Sequence, residues 1–406
     1  MSSIPSELII ALGSLRVADS MPAIPFELIA AIVDELEHDR ASLKACSLVA
    51  TPFCAPSQRH LFRAMWLHRE NWQFYTSAQK ALHRGTKIPS GTIKRVSALF
   101  SKSPHLAVYV RDLTIDLPDS ADEDIPLAQV LQAVTKLERL VISGLVVRWD
   151  DLSRSLTSAI LDVFVRPTLE SLHLLNIQDL PSSAILSALS SMRVLSLHHP
   201  TLSDEETLEQ GGPLIASKIH HLTLSSVLLP TYELILSTRA PKLGNVRKLL
   251  LDTSANLHID RILTSVAATL VELDIKCGVL PFALMLPSLT SLRFLTLRIA
   301  RGTTRRLPEG LWGTLVGLPR VSLTLVFAIN TRLVEGEWAE EGPLTGLDDC
   351  QTKTMHCQLL FLDSNVMEAT RNNAFDSFCA ALRAALPGFE LEFSSMDETS
   401  YINQLP

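Results

Sequence analysis

The sequence has few features of a secreted, metal-binding or membrane-spanning protein. Its six cysteines in 406 residues form no C-x-x-C pair, and the nearest neighbours are seven or eight residues apart, which argues against a disulfide framework or a zinc knuckle. No apolar run approaches the ~20 residues that span a bilayer. Glu7 is the only charge before residue 16, and Pro5, Ser6 and Gly13 break the apolar run there, a pattern unlike a signal peptide. We expect reduced core thiols and a cytoplasmic or nuclear protein.

The chain also lacks a dominant charge of one sign and the common catalytic motifs. It carries 36 basic and 43 acidic residues, a net charge of −7, so the total gives no reason to expect binding to nucleic acid or to a membrane. G-x-S-x-G, H-E-x-x-H, a phosphate-binding loop and G-x-G-x-x-G are all absent. We therefore predict a protein that is not an enzyme, with no catalytic residues and no cofactor, and we expect a protein partner.

The sequence does contain one short motif that is repeated. Eight segments share the frame L-x-x-L-x-L, with other aliphatic residues at some of the apolar positions, and their start-to-start intervals run from 22 to 32 residues. This period is typical of leucine-rich repeats. The eight segments begin at residues 110, 137, 169, 192, 219, 246, 270 and 292. The asparagine of regular repeats is mostly missing, and Asn176, the nearest candidate, is out of register, so these repeats are irregular.

The last three residues of each motif explain why such repeats would stack. In L-x-L, the two aliphatic side chains share one face of a short strand. One repeat cannot bury them alone, but stacked repeats can, which predicts an α/β solenoid with a parallel sheet on the concave side and helices or turns outside. Outer helices are predicted over 183–192, 232–240 and 260–270. A generic α/β protein with leucine-rich strands is the alternative, but it does not explain one frame at every strand.

After one more predicted strand over 320–329, the composition changes. Residues 335–349 hold six acids and no base, which predicts an exposed loop. Residues 355–363, 373–386 and 389–395 then follow as strand, helix and strand, a cap over the open end of the core. The predicted organisation is a leader over 1–20, a helical domain over 21–68, a helical linker over 69–105, the solenoid over 106–330, an acidic loop over 331–354 and the cap over 355–406.

Residues 22–66 have a different sequence pattern, which predicts three short helices. Pro25 and Glu27 suit the start of the first helix, whose apolar stripe is Leu28, Ile29, Ile32, Val33 and Leu36. A second helix is predicted from the cap Asp39 to Pro52. A third short element carries Leu61, Phe62, Met65 and Trp66. So small a unit cannot bury all of its apolar positions, which predicts a surplus stripe available to another chain.

These residues resemble an F-box. The family pattern appears here as Ile24-Pro25-Phe26-Glu27-Leu28, then Ile32 to Leu36, a charged break over 37–40, and Leu43 to Val49 with Ser47-Leu48-Val49. The ending over 59–67 is similar to that of fungal F-box proteins that continue into degenerate leucine-rich repeats. Where relatives place a basic residue and then a tryptophan, this chain has Ala50 to Phe53.

The resemblance implies a concrete function. An F-box docks on a Skp-type linker, which joins it to a cullin and RING ubiquitin ligase, while the repeats select a protein substrate for ubiquitin-dependent degradation. By position in the motif, the residues expected to face the linker or to support that face are Pro25, Leu28, Ile32, Leu36, Leu43, Leu48 and Val49. Each of them, taken singly, could equally well pack the three helices against the first repeat.

A near copy of the motif's first helix, IPSELIIALGSL, occupies residues 4–15. A partial duplication that adds or competes as a docking helix is one explanation. A leader with an accidental match is the other, and we favour it because the second helix of the motif does not follow.

The positions that flank each L-x-L define the predicted concave face. They mix hydroxyls, imidazoles and both charges, which suits a protein substrate more than an apolar cofactor pocket. The substrate-binding residues predicted there are Arg139, His173, His198, His221, Lys248, Glu272, Asp274, Lys276, Phe294 and Arg298. The three histidines could line up on neighbouring strands as metal ligands, but no carboxylate or thiolate has matching spacing, so we predict no metal site.

Arg298, Arg301, Arg305 and Arg306 form a basic cluster late in the repeats. The cluster could bind an acidic or phosphorylated degron. Alternatively, it could pair with the acidic loop or simply remain solvated, and we favour this alternative. Two further functions stay open. One is a leucine-rich-repeat scaffold or inhibitor without a ubiquitin ligase, and the other is a GTPase-activating repeat protein that uses Arg301 or Arg305.

Overall fold

A computed structural model gives the architecture of most of the chain. The described residues are 24–68, 90–118, 120–144, 147–203, 217–238, 240–252, 259–277, 289–300, 321–329, 354–361, 368–385 and 389–397. The predicted leader, residues 331–353 of the predicted acidic loop and three of the four clustered arginines lie outside these ranges.

One sheet organises the described residues. Its thirteen strands are β1 Ala64–His68, β2 Ser90–Thr92, β3 Asp112–Asp116, β4 Arg139–Ser143, β5 Ser171–Leu175, β6 Val194–His198, β7 His221–Ser225, β8 Lys248–Asp252, β9 Glu272–Cys277, β10 Phe294–Ala300, β11 Ser322–Ile329, β12 Thr354–Phe361 and β13 Glu390–Asp397. From β3 to β13 each strand lies beside its successor in the chain, and β1 lies between β3 and the edge strand β2.

All pairings between these strands are parallel. A doubly wound sheet reverses its strand order at a switch point in the middle. Here the order advances in one direction for eleven strands, from β3 to β13, as stacked repeats require. The predicted α/β, solenoid-like architecture is therefore confirmed for the described residues, and its strand order is not that of a doubly wound sheet.

The L-x-L residues form the core, as their alternation predicts. In β3 to β12 the first apolar column runs from Leu113 to Met355 and the second from Ile115 to Cys357, and no member is more than 2% exposed. The register places each column member directly beside its counterpart in the next strand. Repetition of one frame thus gives a continuous apolar layer beneath the sheet.

Helices in the described ranges connect the strands or precede them. They are α1 Phe26–Asp34, α2 Arg40–Val49, α3 Thr51–Arg63, α4 Ile93–Lys102, α5 Pro104–Ala107, α6 Ala121–Ala133, α7 Arg154–Phe164, α8 Ser182–Ser191, α9 Leu229–Ile235, α10 Ile259–Val266 and α11 Glu368–Ala385. The three outer helices predicted from sequence correspond to α8, α9 and α10, with boundaries that differ by one to five residues. No helix among the described residues has both the length and the apolarity that crossing a membrane would need.

The chain leaves consecutive strands through the same backbone conformation. Asn176, His199 and Ser226 directly follow β5, β6 and β7, and their φ angles are 53°, 49° and 50°. Left-handed backbone costs a residue other than glycine roughly 1–2 kcal/mol, and asparagine is among the residues that visit it most readily. Asn176 therefore occupies the same turn position as its two counterparts in the following repeats.

The first three helices form a head (residues 24–63) that is continuous with the sheet. Two boundary predictions for this region are wrong. Pro52 does not end α2, which stops at Val49, but lies in the first turn of α3, where its missing N–H has no helical partner. The third element, predicted to carry residues from Leu61 to Trp66, is not one short helix, because α3 ends at Arg63 and the chain enters β1 at Ala64. The sheet thus starts inside the range assigned to the helical domain.

No linker separates the head from the sheet. The backbone N–H of Arg111 donates to the carbonyl of Arg63 at 2.8 Å, across the point where helix becomes strand. Phe62 packs against both the small core of the head and the main core of the sheet. These contacts fix the head at one end of the solenoid.

The C-terminal strand, helix and strand are confirmed as β12, α11 and β13. Phe378 of α11 is fully buried and meets Phe327 and Phe393 edge to face, with ring centroids 5.0 and 6.4 Å apart. The two strands continue the same parallel sheet, so this segment extends the solenoid core and covers it with one long helix.

Candidate docking and recognition surfaces

The helical head carries an apolar face that nothing in the described chain covers. Helix α1 has a wide apolar stripe, of which Val33 is fully buried and Ile29 nearly so. The adjacent residues Phe26, Leu28 and Ile32 are between 48% and 56% exposed, and Ile24 just before the helix is equally open. The stripe is too wide for the small core behind it. Leu28 and Ile32 lie on one flank of the buried residues, and Phe26 lies on the other flank, in the first turn of the helix.

Helix α2 adds its C-terminal end to the same head. Asp39 caps its start by accepting hydrogen bonds from the N–H groups of Ala41 at 3.0 Å and Ser42 at 3.2 Å. At the other end Leu48 is 87% exposed and Val49 54%. Apolar side chains at such exposure would be stabilised if a partner covered them.

The exposed apolar residues are concentrated in the head. Twelve large apolar side chains of the described residues are exposed, and six of them lie between residues 24 and 49. These six share their exposure and their place in the head, at α1 and at the end of α2, and we call them together the apolar face: Ile24, Phe26, Leu28, Ile32, Leu48 and Val49. Of the remaining six, Phe294 is the one that lies on a strand.

A compact set of inward contacts holds this face in place. Val33, Leu43 and Leu61, one from each helix, form the small core of the head, and Leu36 and Phe53 pack against it. On the rim, the Asp34 carboxylate at the end of α1 pairs with the Nε2 of His60 at 2.6 Å and with the Arg59 guanidinium at 2.9 Å.

The hydrogen bond with His60, helped by the charge of Arg59, lowers the pKa of Asp34. Its carboxylate therefore stays ionised at neutral pH. The contacts of Asp34 with Arg59 and His60 join the C-terminal end of α1 to α3.

The residues predicted to dock on a linker divide into two groups. Pro25, Leu28, Ile32, Leu48 and Val49 are exposed. Leu36 is half-buried against the small core, and Leu43 is buried within it, so these two support the face and do not form it. Ile24 and Phe26 belong to the face but were not singled out from the sequence. The four-residue spacing of Ile24, Leu28 and Ile32 is the signal that indicates the first of them.

The second surface is the open side of the sheet, opposite the L-x-L columns. All ten predicted substrate-binding residues occupy its outward positions, on strands β4 to β10. The structure therefore brings them onto one surface, where Arg139 lies on β4 and the other nine fall into two regions of different character. The first region is the set of strands β5, β6 and β7, and the second is the set of strands β8, β9 and β10.

In β8 to β10 the charged side chains neutralise one another. The guanidinium of Arg298 donates to both carboxylate oxygens of Asp274, with N–O distances of 2.6 to 2.9 Å. The Lys276 ammonium lies 2.9 Å from Asp252, and Lys248 lies 2.7 Å from Glu272. Cations engaged in this way have less capacity to bind an acidic ligand. Phe294, at the start of β10, is the exposed apolar residue of this region, at 53% exposure.

In β5 to β7 the sequence repeats a hydroxyl and an imidazole two residues apart. Ser171 Oγ lies 3.0 Å from the Nε2 of His173, and Ser196 Oγ lies 2.8 Å from that of His198. On β7 the order is reversed, with Thr223 Oγ1 3.4 Å from the Nε2 of His221. Residues two apart on a strand share a face, so the Ser-Leu-His and His-Leu-Thr spacing could have indicated these pairs.

Burial lowers the pKa of all three histidines. It lowers the pKa of His173 to about 3 and that of His198 to about 4, and the nearby Arg139 adds to the effect on His173. The pKa of His221 is lowered by burial and by Lys248. At neutral pH these rings are uncharged. Among the described residues, no three His, Cys, Asp or Glu side chains are grouped to hold a metal ion.

Comparison with known proteins adds nothing to this geometry. No family model matches the chain, and no curated protein matches it. The function therefore has to be argued from the two surfaces.

Proposed function

We propose that this protein is the substrate-recognition adaptor of an SCF-type ubiquitin ligase, with no catalytic role of its own. In this proposal the head is an F-box that docks on a Skp-type linker through the apolar face, and the open side of the sheet binds a protein substrate. The linker would join the chain to the cullin and RING subunits.

The observation that carries the proposal is the uncovered apolar face at the positions of the F-box motif. Burying one large apolar side chain completely is worth about 1.5–3 kcal/mol. Because the six side chains of the face are at least about half exposed, covering them would contribute roughly 5–9 kcal/mol before the costs of association. That amount is of the same order as the cost of association, about 4–15 kcal/mol, so the face would supply a large part of the free energy that holds a complex together. A head that served only to cap the repeats would gain no stability from these exposed side chains.

The attachment of the head supports the same function. Helix α3 runs into β1 without a linker, so a partner bound to the head would hold the open side of the sheet in a fixed orientation. An adaptor that presents a substrate to a distant catalytic subunit benefits from such rigidity, because it raises the effective concentration of the substrate.

Capture of a purified Skp-type linker tests the proposal. We expect the unaltered chain to retain the linker and the double variant Leu28→Asp, Ile32→Asp to lose it, since two charges would be buried in an apolar interface. Leu36 is a poor choice for this purpose because it packs on the small core. Val165→Asp is the matched control, since Val165 is 64% exposed but lies at the end of α7, outside the head.

The outcomes separate the open alternatives. If the unaltered, folded chain does not capture the linker, the adaptor function is rejected and a repeat scaffold or inhibitor remains. The GTPase-activating alternative depends on Arg301 or Arg305, which lie outside the described residues, and no described contact favours it.

A further inference from the structure

Strands β5, β6 and β7 form a part of the open sheet surface without ionisable acids or strong bases. Their sequences SLHLL, VLSLH and HLTLS contain no Asp, Glu, Lys or Arg. Nine side chains point outward from these strands and define what we call the neutral centre: Ser171, His173, Leu175, Val194, Ser196, His198, His221, Thr223 and Ser225. The neutral centre therefore consists of hydroxyls, imidazoles and two aliphatic side chains, and two of its members, Ser196 and Thr223, are buried between their neighbours at 3% and 5% exposure.

Charged residues border the neutral centre on both sides, and their counter-ions lie away from it. Arg139 on β4 pairs with Asp112 on β3 at 3.3 Å. Lys248 on β8 pairs with Glu272 on β9 at 2.7 Å. Each ion pair is thus completed by the strand on the far side, and neither needs a group from a ligand seated over β5 to β7.

The hydrogen-bonding direction of one imidazole follows from its neighbours. The Arg139 Nε donates to the Nε2 of His173 at 3.4 Å, and Ser171 lies 3.0 Å from the same nitrogen. A guanidinium has no acceptor, so this Nε2 must be the unprotonated nitrogen of a neutral ring, and Nδ1 carries the hydrogen. His173 therefore offers an N–H donor from Nδ1.

The dimensions of the neutral centre match the middle of a protein interface. Three strands ~4.8 Å apart, each of five residues that rise ~3.3 Å, cover an area of about 15 by 16 Å. This is smaller than the ~800 Å² that each partner buries in a standard interface. Protein interfaces are depleted of charge at their centre and polar at their rim, and the arrangement from β4 to β8 has this order.

We propose that the neutral centre is the middle of the substrate interface and that the segment of substrate seated on it is an uncharged peptide whose carbonyl or amide oxygens accept hydrogen bonds from the sheet surface. The inference rests on the proposed function in so far as the open face binds a protein. A charged side chain of the substrate placed here would lose its hydration and find no opposite charge among the nine residues. Its burial would therefore make the free energy of binding less favourable.

A displayed library of random peptides, panned on the full-length chain, tests this chemistry. We expect the enriched peptides to share an uncharged central segment. We expect both Val194→Asp and Val194→Lys to weaken binding of a representative peptide by about tenfold or more, because either sign of charge would be stranded at the centre. Val194→Thr, which keeps the position neutral and β-branched, should bind within about threefold of the unaltered chain and shows that the position itself tolerates change.

Ser322→Asp is the matched control, since Ser322 is exposed at the same outward column, on β11, and should leave peptide binding within about threefold. The inference is overturned if no peptide family is enriched, if the enriched peptides carry a charged centre, or if Ser322→Asp weakens binding as much as Val194→Asp. The assay contains no linker, so its result is independent of whether the head docks on one.

Discussion

Ile32 and Val33 are neighbours in α1 with opposite environments, and truncating each in turn separates docking from folding. Ile32 is 48% exposed, whereas Val33 is fully buried against Leu43 and Leu61. Substituting alanine for Val33 removes two buried methyl groups, at a cost to stability of about 2 kcal/mol, between the usual losses for Ile→Val and Leu→Ala. Substituting alanine for Ile32 should change the free energy of unfolding by about 0.5 kcal/mol or less, because half of this side chain is already in water.

Binding should show the reverse order. A partner that covers the exposed half of Ile32 gains about 1 kcal/mol from it, so Ile32→Ala should weaken linker binding roughly fivefold. Val33→Ala should leave the affinity of the folded protein nearly unchanged. Urea unfolding followed by circular dichroism measures the stability, and titration with a purified Skp-type linker measures the affinity. If Ile32→Ala destabilises the head as much as Val33→Ala and leaves the affinity unaltered, α1 has no outward docking face.

Three further predictions concern the sheet and the N-terminus. Asp274→Ala should lower the free energy of unfolding by about 3 kcal/mol in urea unfolding, because it leaves the largely buried guanidinium of Arg298 without its bidentate partner. A second substitution in the same chain, Arg298→Leu, should restore part of that loss. The pKa values of His173 and His198 are about 3 and about 4 in the folded chain but ~6.5 in the unfolded chain. Between these limits the unfolded chain binds more protons, so the free energy of unfolding should fall as the pH falls from 6.5 towards 4. His173→Gln and His198→Gln should each reduce the pH dependence of the urea midpoint. Deleting residues 1–20 should leave linker capture unchanged, since α1 presents its apolar face without them, and loss of capture would assign the near copy a docking role.

The strands of the solenoid could be predicted because one physical demand recurs in each of them. Two aliphatic side chains must face a shared core, so the L-x-L frame marks every strand from β3 to β10. Strand β1 was not predicted, because Met65 and Leu67 form a single isolated pair that directly follows a helix. Short apolar segments of this kind do not distinguish a strand from the last turn of a helix.

The apolar face could be predicted only in part. Periodicity identifies the stripe of α1, but the inward edge is decided by Leu43 and Leu61, which arrive from helices later in the chain. Periodicity alone therefore does not separate Leu36, which packs inward and supports the face, from the outward residues that form it. Similarly, Arg298 is separated from Asp274 by 24 residues, and their pairing depends on the register between β9 and β10.

The near copy at residues 4–15 matches α1 at some positions and differs from it at one buried position. It keeps counterparts of the outward residues Leu28 and Ile32, as Leu8 and Leu12. At the position of the buried Val33, however, it has Gly13. Residues 4–15 thus have no counterpart of this anchor, and their role as a leader stays a prediction.

Calorimetric titration of the full-length chain with a purified Skp-type linker, at two or more temperatures, tests the central claim most directly. Burial of the apolar face predicts one-to-one binding with a negative change in heat capacity, and the Leu28→Asp, Ile32→Asp variant should show neither. A folded, unaltered chain that gives no binding heat at any temperature, or binds equally well with both charges in place, would contradict the claim that the head docks through this face.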